Sequence, residues 1–176
     1  MSAGERLRTG RQVFIRRLTD DDRDEFIRRA AESREFHDPW VFLPTTPERF
    51  AAYRSRFDGT TAEGFLVCTL DTHALAGFIN VSNIIRGPYQ RATLGYGAFL
   101  PHAGKGHLSE GLRLVIGYCF TTLGLHRLEA DIQPANESSK TFVHRHGFRK
   151  EGYSPSFALV NGTWKDHERW ALTAPA

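Results

Sequence analysis

Cysteine is scarce in this sequence: only Cys68 and Cys119 occur in 176 residues. Two cysteines cannot build a disulfide framework, and neither stands in a CxxC or metal-type spacing. Long apolar runs are missing too. The longest, such as Phe65-Leu66-Val67-Cys68, fall far short of the roughly 20 residues a membrane helix needs. The basic segment 1–11 is not followed by an apolar stretch, so no secretory signal is read and the expected location is the cytoplasm. Charge of one sign does not dominate, since 23 Lys and Arg against 20 Asp and Glu leave a net +3. The arginines are dispersed, with no basic run of the kind that tracks nucleic acid, so direct nucleic-acid binding is not expected. The small positive excess still permits attraction to an anionic ligand or to an acidic or ribosomal surface. There is no GxxxxGK[ST] and no GxGxxG, which argues against ATP and NAD. Nor is there a Ser-His-Asp or Cys-His signature, and Cys119 falls on an apolar helical stripe that suits a core position.

What is present reads as one domain over residues 1–176, with 40% hydrophobic and 24% charged residues and no internal repeat. Residues 13–18 read as a first strand. Asp20 and Asp21 can cap a helix that carries Phe26, Ile27 and Ala30 on one face, and His37-Asp38-Pro39-Trp40 breaks it. Thr46-Pro47 opens a second helix with Phe50, Tyr53 and Phe57. Residues 64–70, 76–85 and 92–100 then read as an antiparallel meander with short connections. Leu108, Leu112, Val115, Ile116, Cys119, Phe120 and Leu123 recur at helical spacing up to Gly124. A strand over 126–133, a helix from Asn136 to Gly147, and strands at 148–153, 157–160 and 164–172 complete the order. The prediction is a mixed α/β fold: about seven strands in a largely antiparallel central sheet, with helices on both faces.

Two segments carry chemistry. The loop His102-Ala103-Gly104-Lys105-Gly106-His107-Leu108 runs from a strand into the N-terminus of the strongest helix. Glycines let its amides converge, and the helix dipole adds partial positive charge, a combination suited to a pyrophosphate. The second segment is Asp131-Ile132-Gln133-Pro134-Ala135-Asn136-Glu137-Ser138-Ser139, followed by Phe142 and His146-Gly147-Phe148. His144 and His146 are two apart on a helix, point to different sides, and make no metal pair, so no metal is expected. Taken together, the GKG loop, the N-x-x-S helix and the GF strand resemble the GNAT acetyltransferase superfamily. Gly77-Phe78-Ile79-Asn80-Val81, Leu94-Gly95-Tyr96, 147–153 and the tail 161–167 resemble its RimJ/RimL branch, the ribosomal-protein alanine N-acetyltransferases.

That resemblance implies an acetyl-CoA-dependent N-acetyltransferase in which a primary amine attacks the thioester directly. The acceptor it implies is a protein N-terminus of the ribosomal-protein alanine type. The alternatives are a small amine such as an antibiotic, polyamine or amino acid, or a non-catalytic acyl-CoA-binding module. By the same analogy, backbone groups at Gly97, Ala98 and Phe99 serve the thioester and pantetheine. Gly104, Lys105, Gly106, His107, Leu108 and Ser109 hold the pyrophosphate, and Asn136 bonds the pantetheine arm. Ser139 protonates the departing sulfur, with Ser138 as its neighbouring rival, and Asp131 is the candidate base. Trp40, Asn80, Asn83, Tyr96, Trp164 and His167 are expected on the acceptor side. Two departures stand out: Pro101 replaces the usual Gln or Arg at the start of the loop motif, and Val143 occupies the place of a tyrosine acid. A monomer or a homodimer fits equally well.

Overall fold

A computed structural model describes residues 4–175. The chain enters through β1 (Arg6–Thr9) and β2 (Val13–Arg17) and passes a 3-10 turn at Asp20–Asp22. Helices α1 (Arg23–Glu32), α2 (Arg34–His37) and α3 (Pro47–Arg54) follow, then the meander β3 (Glu63–Thr69), β4 (Leu75–Ile85) and β5 (Arg91–Ala98). Helix α4 (His107–Thr121), β6 (Arg127–Ile132), α5 (Glu137–Arg145), β7 (Arg149–Val160) and β8 (Thr163–Thr173) complete the chain. One eight-stranded sheet results, in the order β1-β2-β3-β4-β5-β6-β8-β7, antiparallel everywhere except between β5 and β6.

The two faces of the sheet are covered differently. On one, α4 lays Leu112, Val115 and Cys119 over Ile15, Val67 and Ile79, and α5 adds Val143. Helix α4 lies so close that a Cβ at Gly111 would stand 2.5 Å from Val67 Cγ2, so glycine there sets the packing distance. The opposite face carries α1 and α3 on an aromatic layer of Phe26, Phe50, Phe78 and Phe99. Strand β3 is buried along its whole length, as a strand covered on both faces must be.

The parallel pair is the feature that positions the site. Pairing runs only through Arg91↔Arg127, Ala92↔Leu128 and Thr93↔Glu129. Beyond that point β5 continues to Ala98 and β6 to Ile132 without pairing to each other, so the sheet forks. Glu129, 6% exposed, sits at the root of the fork. Its carboxylate binds Arg91 of β5 at 3.0 Å, Arg127 of β6 at 2.7 Å and Arg169 of β8 at 3.4 Å. Burial works to raise the pKa of Glu129, but the hydrogen bonds and charges of Arg127 and Arg91 outweigh it and hold the carboxyl below its usual range.

The sheet has eight strands rather than about seven. The extra strand, β1, is polar and mostly exposed (Arg-Leu-Arg-Thr), so it carries no apolar alternation to read. Residues 149–160 form one strand rather than two pieces. Ser154-Pro155-Ser156 resembles a turn in sequence, but it is a bulge between Ser154 and Ala158 on the sheet's edge, where proline costs no ladder hydrogen bond. Helix α1 has Asp22 as its N-cap, one position after the expected Asp20 and Asp21, and Thr19 is the N-cap of the 3-10 turn before it.

Replacing Glu129 by Gln takes the carboxylate from Arg91 and leaves Arg127 and Arg169 with only Glu151 and Asp131 as counter-charges. Chemical denaturation should show a loss of about 3 kcal/mol. The wild-type contribution is fully present above the ordinary glutamate pKa and disappears as pH falls through the lowered folded value, so the variant should lose this acid sensitivity.

Candidate active site

A cleft of about 1030 Å³ occupies the fork. One wall begins at the loop before α4. Gly104 and Gly106 have φ of +75° and +83°, left-handed values that let the chain double back before the helix. Gly106 is the N-cap and offers no side chain to the first turn. The first ladder bond of α4 is Glu110 N–H to Gly106 O, so the amides of His107, Leu108 and Ser109 meet no acceptor among the described residues. Lys105 stands exposed beside them. The His107 ring lies 5.5 Å from that of His102. These unmet donors, the dipole and the lysine fit a pyrophosphate.

Strand β5 supplies the next donors. Phe99 N–H donates to Ala76 O at 2.8 Å, and the register pairs Phe78 with Gly97 and Asn80 with Gly95. Antiparallel alternation therefore turns the amides of Gly95, Gly97 and Phe99 toward β4, and those of Tyr96 and Ala98 into the fork. This corrects the expectation from sequence. Of Gly97, Ala98 and Phe99, only Ala98 can offer an amide to a ligand, and Tyr96 is the second donor. The Phe99 side chain is fully buried in the aromatic layer.

Across the fork, Asn136 caps α5: its Oδ1 accepts from Ser139 N–H at 3.1 Å, which leaves the carboxamide NH2 without a partner among the described residues. The Ser139 and Tyr96 hydroxyls share a hydrogen bond of 2.6 Å. Tyr96 also stacks on Phe142 of α5 at 5.1 Å. Burial pushes its phenol up to about 12 against the opposing effect of Ser139, so it stays neutral at physiological pH. Ser138 is exposed and makes no such contact. Val143 is fully buried beneath α5 and cannot reach the cleft, so the Tyr96 hydroxyl is the phenol nearest to Ser139.

The remaining expected residues divide. Trp40, Asp131 and His167 line the cleft. Asp131 is already bound by Arg169, whose guanidinium lies over Phe157 at 4.3 Å. His167 is buried, with Nδ1 3.0 Å from Lys165 O and its ring against Phe157. Asn80, Asn83 and Trp164 are not brought to the cleft. Asn80 accepts from Tyr53 O–H at 2.8 Å, Asn83 is exposed with φ of +53°, and Trp164 is 62% exposed near the β7–β8 turn. Phe36 and His37 also join the walls. In sequence they look like the ragged end of a helix. His37 belongs to the His37–Trp40 segment that the family resemblance places on the acceptor wall, but its approach to β5, with Nε2 2.7 Å from Ala98 O, is seen only in space.

Comparison with known proteins agrees with this geometry. Residues 12–149 match the family model described as Acetyltransferase (GNAT) domain. Probable N-acetyltransferase YjcK of Bacillus subtilis is 32% identical over 174 residues, covering 94% of this chain and 96% of that protein. The [Ribosomal protein uS5]-alanine N-acetyltransferase of Escherichia coli is 33% identical over 178 residues, covering 97% and 91%. Mycobacterium smegmatis RimJ, solved in complex with CoA-disulfide, superposes with a TM-score of 0.83 at 24% identity, covering 92% of this chain and 82% of that one. With a family model spanning most of its length and near-full-length relatives above 30% identity, the chain belongs to the GNAT acetyltransferases and is a RimJ-like N-acetyltransferase.

Proposed function

We propose that the protein moves the acetyl group of acetyl-CoA to the N-terminal α-amine of another protein, with a ribosomal protein beginning with alanine as the favoured acceptor. The observation that carries this reading is the division of the cleft. Unmet amides, Lys105 and the Asn136–Ser139 pair stand on the α4/α5 side, while an aromatic mouth of Phe36 and Trp40 stands on the other. The first set suits a nucleotide thioester and the second an incoming chain end.

Charge selects among acceptors. Asp131 and Glu137 are the carboxylates lining the cleft among the described residues, and they are paired with Arg169 and Lys140. A polyamine with several ammonium groups would find no free counter-charge there, whereas a peptide terminus brings only one. The likeness to the Escherichia coli enzyme, over nearly the whole chain, supports the same acceptor class. A peptide α-amine has a free pKa near 8, so an appreciable fraction is already neutral under cytoplasmic conditions.

In this mechanism the amides of Tyr96 and Ala98 offer hydrogen bonds to the thioester and pantetheine oxygens, and the Asn136 carboxamide binds the pantetheine arm. The amine forms its N–C bond as the C–S bond breaks. Ser139 gives a proton to the departing sulfur. Tyr96, the more acidic hydroxyl, donates to the serine oxygen and leaves the serine proton aimed at the cleft. Asp131 is held for structure and acceptor orientation by its bond to Arg169.

A CoA-release assay should show turnover on peptides with free Ala, Ser, Thr or Met N-termini, and little on spermidine or free amino acids. Turnover restricted to small amines would overturn the acceptor class. Ser139→Ala should lower kcat about 100-fold with acetyl-CoA affinity preserved, and Tyr96→Phe about tenfold, within the span of general acid effects. Ser138→Ala should stay within about twofold of wild type, because that exposed hydroxyl has no place in the relay.

A further inference from the structure

His37 holds a position that the acetyl-transfer scheme above does not use. Its ring is 5% exposed and packed between Phe78 and Phe99, with centroids at 6.2 and 6.3 Å. A carbonyl oxygen can only accept, so the 2.7 Å contact with Ala98 O places the ring proton on Nε2. Nδ1 is then the lone-pair nitrogen. It has no partner among the described residues and is not among their buried, unpartnered polar atoms, so solvent reaches it, and His37 is one of the residues lining the cleft. Gly97 makes this approach possible, because a Cβ there would stand 3.2 Å from His37 Nε2.

The two faces of β5 matter here. Tyr96 packs with Phe142 on the α4/α5 face, and Gly97, one residue on, turns to the α1/α3 face that holds His37. The serine that meets the leaving sulfur and the imidazole therefore lie on opposite sides of the strand that presents the thioester. Asp131, by contrast, already has a guanidinium on its carboxylate.

We propose that His37 Nδ1 is the base that takes the proton from the attacking amine, directly or through one water; this rests on the acetyl-transfer reading above. The amine nitrogen bonds to the acetyl carbon, the C–S bond breaks, the nitrogen's proton passes to His37, and sulfur takes the Ser139 proton. His37 then returns its proton to solvent and Ser139 regains one. Burial holds the imidazole below its ordinary value, against the Ala98 carbonyl, which works the other way. The ring is therefore neutral and able to accept a proton at physiological pH. The titratable and charged groups around it are Arg29 of α1, Arg34 and Glu35 of α2, Asp38 after it, and His102 beyond β5. Tyr96, Asp131 and His167 face it across the cleft. Burial and the Ala98 carbonyl are the influences that move its titration.

The test is the pH dependence of kcat, with saturating acetyl-CoA and peptide, for wild type, His37→Gln and His167→Gln. Wild type should lose activity as pH falls through a value below the ordinary imidazole pKa. His37→Gln keeps a donor for Ala98 O and should lose about 100-fold or more in kcat near neutrality. It should also lose that acid limb and recover toward high pH, with acetyl-CoA affinity within about twofold of wild type. An acid limb that survives in His37→Gln, or one that disappears instead in His167→Gln, overturns the inference and leaves the acetyl-transfer reading intact. Absence of wild-type turnover on every amine overturns both. Should His37→Gln fail to fold, an NMR titration of His37 in the wild-type protein decides the matter: its midpoint must coincide with the acid limb of kcat, and a mismatch rejects the assignment.

Discussion

Everything at this site depends on a parallel pairing that stops early. Strands β5 and β6 share three register positions and then part, and the buried carboxylate of Glu129 clamps arginines from β5, β6 and β8 where they separate. An antiparallel hairpin could have zipped to its end. A parallel pair reached through a long crossover is free to diverge, because no turn dictates its register. The divergence leaves the backbone groups of Tyr96 and Ala98 unpaired inside the protein, an unfavourable state unless something else bonds them. His37 satisfies the Ala98 carbonyl. The amides are left for a ligand.

The neighbouring elements extend the same logic. Helix α4 is brought hard against the sheet by Gly111, which carries its uncapped first turn to the edge of the fork. Helix α5 is capped by Asn136, and that cap also fixes where Ser139 stands. In the proposed scheme, donor-binding groups thus come from one face of the sheet and the apolar mouth from the other. A thioester threaded between the strands would meet its acceptor from the opposite side. This separation makes direct transfer between two bound molecules possible without a covalent enzyme intermediate.

Much of the fold was legible in the sequence because its signals are local. The meander is written in short turns, α4 in the spacing of Leu112, Val115 and Cys119, and the loop before α4 in Gly104 and Gly106. The edge strand β1 was not legible, since its exposed arginines carry no apolar period, and Pro155 disguised a bulge as a turn. Within the proposed site, Asn136 and Ser139 were picked out by motif position, and the structure joins them through the cap of α5. The direction of each β5 amide depends on register with β4, which shifted the backbone donors from Gly97 and Phe99 to Tyr96. Side-chain partnerships such as Tyr96 with Ser139, and His37 with Ala98, join residues 43 and 61 positions apart, and no spacing rule announces them. Asn80, Asn83 and Trp164 were expected on the acceptor wall, but Tyr53 holds Asn80, and the strand bulge and the hairpin leave Asn83 and Trp164 exposed.

The central claim is that the fork receives the donor through backbone amides of alternating direction. Amide hydrogen exchange by NMR, with and without CoA, tests it most directly. The account predicts new protection at Tyr96, Ala98, His107, Leu108 and Ser109, while Gly97 and Phe99, already bonded across to β4, change little. CoA binding that leaves Tyr96, Ala98 and the first turn of α4 unchanged, or that protects a different surface, would contradict it.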